Sequence, residues 1–148
     1  MKPDLKTSIY KSIPGGTELL LWFGDVPRFH DAEVESISLN RAKPSHLILH
    51  LSKMAEKIGI DGFLVVEKRA TVTFVFEEIV ELQLDGFNHQ NVISELRLNW
   101  VSTVSGISIG NHQAERPEVY ELLLEHCFGL SGYISARNIS VSYEPYSL

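Results

Sequence analysis

A single cysteine, Cys127, rules out an intramolecular disulfide. The fold must therefore hold on its own core. With 148 residues that is feasible, since a chain of this size hides roughly 70% of its extended surface on folding. Cys127 lies in an apolar run and reads as an inert core thiol. Long hydrophobic runs are missing too. Residues 19–23 form one of the longest, far short of the roughly 20 residues of a membrane-spanning helix. Behind Lys2 and Lys6 there is no apolar stretch of signal-peptide length, which points to a cytoplasmic chain and no membrane partner. Positive charge is scarce: 13 Lys and Arg stand against 19 Asp and Glu, a formal net charge of −6, with no basic cluster. Nucleic-acid binding rests on cations that displace condensed counterions, so nucleic acid is not an expected partner. An acidic surface fits a basic protein partner, or simply solubility.

Catalytic signatures are weak. Gly106-Ile107-Ser108-Ile109-Gly110 has the Gly-x-Ser-x-Gly letters, but a loop pattern over 111–117 follows it where a nucleophile elbow needs a helix, and Gly15-Gly16 lacks the lysine of a phosphate loop. Cys127 has His126 beside it, but neighbours on a strand point to opposite faces. His46 and His50 are four apart. On a helix they would share a face, but on a strand that spacing is ~13 Å, too far for one ion. The apolar alternation around them says strand.

What the sequence does have is period-two patterning. Val72, Phe74 and Phe76 share one face of a run, with Thr71 and Thr73 on the other. Val80, Leu82 and Leu84 share a face of the next run, and the acids Glu77 and Glu78 mark a bend between the two. Such alternation of β-branched and aromatic residues signals half-buried strands. Leu47, Leu49 and Leu51 alternate likewise, as do Leu96, Leu98 and Trp100, and Tyr120, Leu122 and Leu124. The alternation slips between Val34 and Ile37, as a β-bulge would cause, and again near Asn138. A short helix is expected over 5–11, a buried strand or apolar lead-in over 19–23, a polar connection over 52–62, and a loop over 111–117. The pattern predicts a mainly β chain: one domain, residues 1–148, folded as a two-layer antiparallel β-sandwich of about eight strands with at most short helices.

Two stretches stand out as candidate surfaces. Asp31, Glu33 and Glu35 share one strand face by period two. Such a row is a solvated or interface face, or a set of carboxylates able to do acid–base work or hold a cation. The loop Gly86-Phe87-Asn88-His89-Gln90-Asn91 puts four amide or imidazole side chains behind an aromatic. These groups donate and accept without the desolvation cost of charges. They suit specific recognition and equally a hydrogen-bonded turn that ties the sheet together.

Three passages together resemble the immunity protein 50 family of bacterial polymorphic toxin systems: Phe29-His30-Asp31-Ala32-Glu33-Val34, residues 74–91 ending in Gly-Phe-Asn-x-Gln-Asn, and Gly-x-x-Gly-Tyr-Ile-x-Ala at 129–136. The resemblance implies a cytoplasmic protein, not an enzyme, that binds and neutralises a cognate toxin. It implies no catalytic residues, cofactor or metal. A nuclease toxin must be basic to hold nucleic acid, so an acidic inhibitor would complement it. The expected partner-binding residues are Asp31, Glu33, Glu35, Glu77, Glu78, Glu81, Asp85, Asn88, His89 and Asn91, on a monomer or weak homodimer. The rival expectation is a small-molecule or cation-binding β domain, or an enzyme, using His30, Asp31 and Glu33.

Overall fold

A computed structural model describes residues 5–60, 62–101, 103–104, 107–108 and 119–146. Two short helices come first, α1 (Leu5–Lys11) and α2 (Gly16–Phe23). Eight strands follow: β1 (Glu33–Ser38), β2 (Ser45–Ile58), β3 (Leu64–Asp85), β4 (Val92–Val101), β5 (Thr103–Val104), β6 (Ile107–Ser108), β7 (Val119–Phe128) and β8 (Ser131–Pro145). β5 and β6 pair only with each other. The other six are all antiparallel and run in the order β1-β2-β3-β8-β7-β4, closing back onto β1.

The mainly β, antiparallel reading holds, and the helices are short. The layering takes the form of one sheet closed on itself, so the facing layers are opposite walls of a barrel. Alternation reports which residues turn inward, and a barrel and a sandwich share that pattern. The seam is made mostly by the segment before β1. Glu33 pairs with Val92, and main-chain bonds run from Val34 N–H to Asn91 O (2.7 Å), Ile93 N–H to Ala32 O (3.0 Å) and Leu96 N–H to Arg28 O (3.1 Å).

Most inward residues are those the alternation selects; Val80, Leu82 and Trp100, which it also selects, are instead 38–39% exposed. Leu47, Leu49 and Leu51 of β2, Val72, Phe74 and Phe76 of β3, and Leu122 and Leu124 of β7 are all buried in one cluster. Both phase slips are real irregularities. The β1–β2 register shifts between Val34 and Ser36. Glu78 takes a left-handed conformation (φ 58°). Its neighbour Glu77 pairs with Asn138, so the slips in β3 and β8 face each other across one ladder. The two runs over 69–84 are therefore one bent strand.

The α1 expectation over 5–11 matches the helix found. Residues 19–23 are helical, not a strand. A five-residue apolar run carries no readable period. Here Gly15 and Gly24, both left-handed, bracket an amphipathic helix of 8 residues, about two turns, and Gly24 N–H closes on Leu20 O. Leu19 and Leu20 enter the core while Leu21 points out. At the C-terminal end of α2 the Lys53 and Lys68 ammoniums donate to Phe23 O and Trp22 O. Cations suit that end of a helix dipole. Of the polar connection expected over 52–62, residues 52–58 instead continue β2, which pairs with β3 as far as Ile58↔Leu64. β1 pairs no further along β2 than His50, and β8 no further along β3 than Ala70. Past Leu51 the described side chains of the ribbon are half-buried or exposed, so the alternation that marks a half-buried strand is missing. The loop expected over 111–117 lies outside the described residues.

Tyr10, on α1, is 2% exposed and its hydroxyl has no hydrogen-bond partner among the described residues. A buried hydroxyl without a partner carries an uncompensated desolvation cost of roughly 1–3 kcal/mol. Tyr10→Phe should therefore raise stability, by about 1 kcal/mol, in urea denaturation. Burial also pushes the Tyr10 phenol well above its ordinary range. The unfolded phenol loses its proton near pH ~10 while the folded one keeps it, so stability falls as pH rises beyond ~10. The phenylalanine variant should lose that part of the alkaline slope. An unchanged slope would mean that other groups cause it.

Candidate partner-binding faces

Pairing registers line side chains up in rows across β3, β8, β7 and β4. Glu81 lies opposite Ser135, Ser135 opposite Glu121, and Glu121 opposite Asn99, with Ser135 itself buried between the two acids. The next row is Gln83, Tyr133, Leu123 and Arg97. Beyond it Asp85 faces Ser131 and Glu125 faces Glu95. Towards the other end Glu77 faces Asn138, with Glu78 and Arg137 alongside. This one continuous face carries seven carboxylates (Glu77, Glu78, Glu81, Asp85, Glu95, Glu121, Glu125) and two guanidiniums (Arg97, Arg137).

Local contacts hold the face in shape. Tyr133 donates its hydroxyl proton to Glu81 Oε1 at 2.7 Å. That bond, with burial and the nearby Glu81 and Glu121 charges, raises the phenol above its ordinary range. Arg97 Nη2 reaches Glu95 at 3.1 Å and Glu125 at 3.3 Å. Its hydrogen bond, aided by the charges of Arg97, Arg28 and Lys6, holds the Glu95 carboxyl below the usual range. Arg137 sits 3.8 Å from Glu78. Two guanidiniums on the face, with Lys6 and Arg28 beside Glu95, do not neutralise seven carboxylates, so the face keeps a negative potential for a partner to meet.

Glu77, Glu78, Glu81 and Asp85 all stand on this face. Glu95, Glu121 and Glu125 complete it, and sequence reasoning did not select them. The charged alternation of residues 120–125 was a readable signal. That β8 lies between β3 and β7, however, is a long-range pairing that no local pattern reports.

Asp31, Glu33 and Glu35 fall on a different wall. Glu33 pairs with His50, His50 with Thr71 and Thr71 with Glu144. An open groove there is lined by Asp31, Glu33, His50, Ser52, Arg69 and Glu144, among others. Glu35 Oε2 lies 3.1 Å from His50 Nε2. Asp31 has a left-handed backbone (φ 63°), held by its N–H on Ile93 O. His30 Nδ1 meets Ser94 O at 3.1 Å, and its Nε2 lies 3.5 Å from Asp31. Asp31 and Glu33 share the groove, and His30 does not line it. Among the described residues no three His, Cys, Asp or Glu side chains gather where they could hold a metal ion. The rival expectation built on His30, Asp31 and Glu33 gains no geometric support.

The loop 86–91 joins β3 to β4 at the end of the acidic face. Asn88 N–H donates to Asn91 Oδ1 (3.0 Å), Gln90 N–H to Asn88 Oδ1 (2.9 Å), and Asn88 Nδ2 to Gly86 O (3.1 Å). Asn91 is 3% exposed. Its Oδ1 also accepts from Leu130 N–H (3.1 Å), its Nδ2 donates to Asn88 O (2.7 Å), and its main-chain oxygen accepts from Val34. It knots the loop to the β7–β8 turn and to β1, and its amide does not reach the surface. Asn88 is exposed but spends its side chain on the loop, while His89 is exposed. Cys127 is exposed too, against the core expectation. The β4–β7 register shifts twice, at Val92/Ile93 and Ile93/Glu95, and residues 126–128 lie on the outside.

A model of the immunity protein 50 family matches residues 17–116. The match takes in two of the three resembling passages, residues 29–34 and 74–91, and ends before the third at 129–136. No curated protein and no solved structure gives a significant match. With more than half of its 148 residues aligned to one family, the chain belongs to the immunity protein 50 family.

Proposed function

We propose that this chain protects a bacterial cell by binding a cognate toxin protein in the cytoplasm and blocking it by direct contact. The contact surface is the outer face of β3, β8, β7 and β4. One observation carries this reading: seven carboxylates against two guanidiniums on a single continuous sheet face. An immunity function follows from the family, and the face supplies the partner's chemistry. A toxin that meets it presents Lys and Arg, as a nuclease must in order to hold phosphates. A negative sheet laid across such a surface covers the substrate groove and speeds encounter. Blocking of this kind needs no catalytic residue and no cofactor on the inhibitor.

The test is the salt dependence of association. The probe is the cognate toxin domain, sought in the reading frames adjoining the gene for this chain, inactivated by mutation and immobilised for binding kinetics. Electrostatic steering should make the association rate fall by about tenfold or more between low and physiological ionic strength. A rate that stays flat with salt would overturn the acidic face, and absence of any complex would overturn the whole reading.

A further inference from the structure

At the end of the acidic face two large apolar side chains stand in solvent. Phe87 is 51% exposed and Phe128 is 61% exposed. Each follows directly on, or directly precedes, a glycine of one close contact. A Cβ on Gly86 would sit 2.5 Å from Gly129 O, and one on Gly129 would sit 2.5 Å from Asn91 Oδ1. Both glycines have left-handed φ, 81° and 79°. No other residue fits either place, so the loop and the turn are pressed together, with Phe87 on one and Phe128 on the other. The Asn88 and Asn91 hydrogen bonds then fix the loop from inside.

Single exposed apolar residues are ordinary on a protein surface. Two phenylalanines on segments locked this firmly are less so. The fold has already met the ordering cost that flexible loops incur on binding. Interfaces place such aromatic anchors next to a polar rim. A rim is present here: Asp85 lies two residues before Phe87, and Glu125 three residues before Phe128, opposite Glu95.

We infer that Phe87 and Phe128 form the apolar anchor of the toxin contact, and that the toxin offers an apolar pocket bordered by Lys and Arg. The inference rests on the toxin-binding reading above, because the neighbouring carboxylates name the partner's charge. Carboxylates steer the encounter, and the two rings hold the complex once formed. The two roles separate kinetically: rim charges act on association, buried anchors on dissociation.

The experiment uses the same inactivated toxin domain and the full chain. Phe87→Ala and Phe128→Ala, singly and together, replace exposed side chains, and far-ultraviolet dichroism checks that each variant folds. The double variant should bind roughly 30-fold more weakly, almost wholly through faster dissociation, with the salt dependence of association unchanged. Cys127 gives a second readout that needs no mutation. It is exposed, sits beside Phe128 and is the only thiol. Its alkylation by N-ethylmaleimide should slow in the complex. A double variant that dissociates at the wild-type rate overturns the anchor and leaves the acidic face standing. So does a thiol that reacts equally fast free and bound. If the wild-type chain forms no complex, anchor and toxin-binding reading fall together.

Discussion

Asn91→Ala is expected to lower the free energy of unfolding by about 3 kcal/mol, a large share of the 5–15 kcal/mol that holds a typical domain together. The carboxamide oxygen accepts from two main-chain donors, Asn88 N–H and Leu130 N–H. The nitrogen donates to Asn88 O. Alanine leaves all three without that partner in a site that is 3% exposed. Each orphaned buried group costs roughly 1–3 kcal/mol, and water cannot reach all of them. The cavity left by the amide adds to the loss. Urea denaturation measures the sum, and hydrogen exchange at Leu130 locates it. The Leu130 amide should exchange faster in the variant by more than global destabilisation explains. A loss well under 1 kcal/mol would show that the loop closes without the side chain, and the rigidity argued for Phe87 and Phe128 would go with it. If the knot is as tight as drawn, the variant should also release toxin faster, because the two anchors would have to be ordered on binding.

Asn91 also marks a limit of what a sequence can say. An amide behind an aromatic in a polar loop serves recognition or closure equally well. Only burial decides, and burial depends on Leu130, 39 residues away. Elsewhere the local pattern was sufficient. Leu47, Leu49 and Leu51, or Val72, Phe74 and Phe76, each announce an inward face because one side is wet and the other dry. The slips at Val34 and Asn138 were legible for the same reason, since a register shift at the first and the left-handed Glu78 across from the second each break a period that is otherwise clean. Residues 19–23 were illegible because every position is apolar, so neither period shows. The β2–β3 ribbon past Leu51 was illegible because its described side chains face no core. The acids were legible in kind and not in place. Glu81 meets Glu121 across β8 only because β8 inserts between β3 and β7, and a chain read from end to end offers no sign of that neighbour. The same blindness grouped Glu33 and Glu35 with Glu77 and Glu78, which the barrel sets on different walls.

That separation makes the choice of face testable by charge reversal. Glu81→Lys with Glu121→Lys shifts the acidic face by four units of charge at its middle row. The toxin association rate at low ionic strength should fall by roughly 10- to 100-fold, and the gap to wild type should narrow as salt is added. Glu33→Lys with Glu35→Lys makes the same change in net charge on the β1 wall. It loses one contact, Glu35 to His50, and should alter association several-fold at most, because it acts only through the long-range field. The Glu33 and Glu35 pair should cost little stability, since exposed substitutions of this kind stay mostly within about 0.5 kcal/mol; Glu81 and Glu121 are half-buried, so urea denaturation checks that their double variant still folds. The Glu81 variant also breaks the Tyr133 hydrogen bond, so Tyr133→Phe belongs beside it. That variant removes the bond and keeps the charge, and its association rate should match wild type. Equal slowing by both reversals would mean that net charge alone matters and no face is preferred. Greater slowing by the β1 pair would move the toxin to the groove beside His50 and Arg69, and the sheet of seven carboxylates would then be a solvated wall.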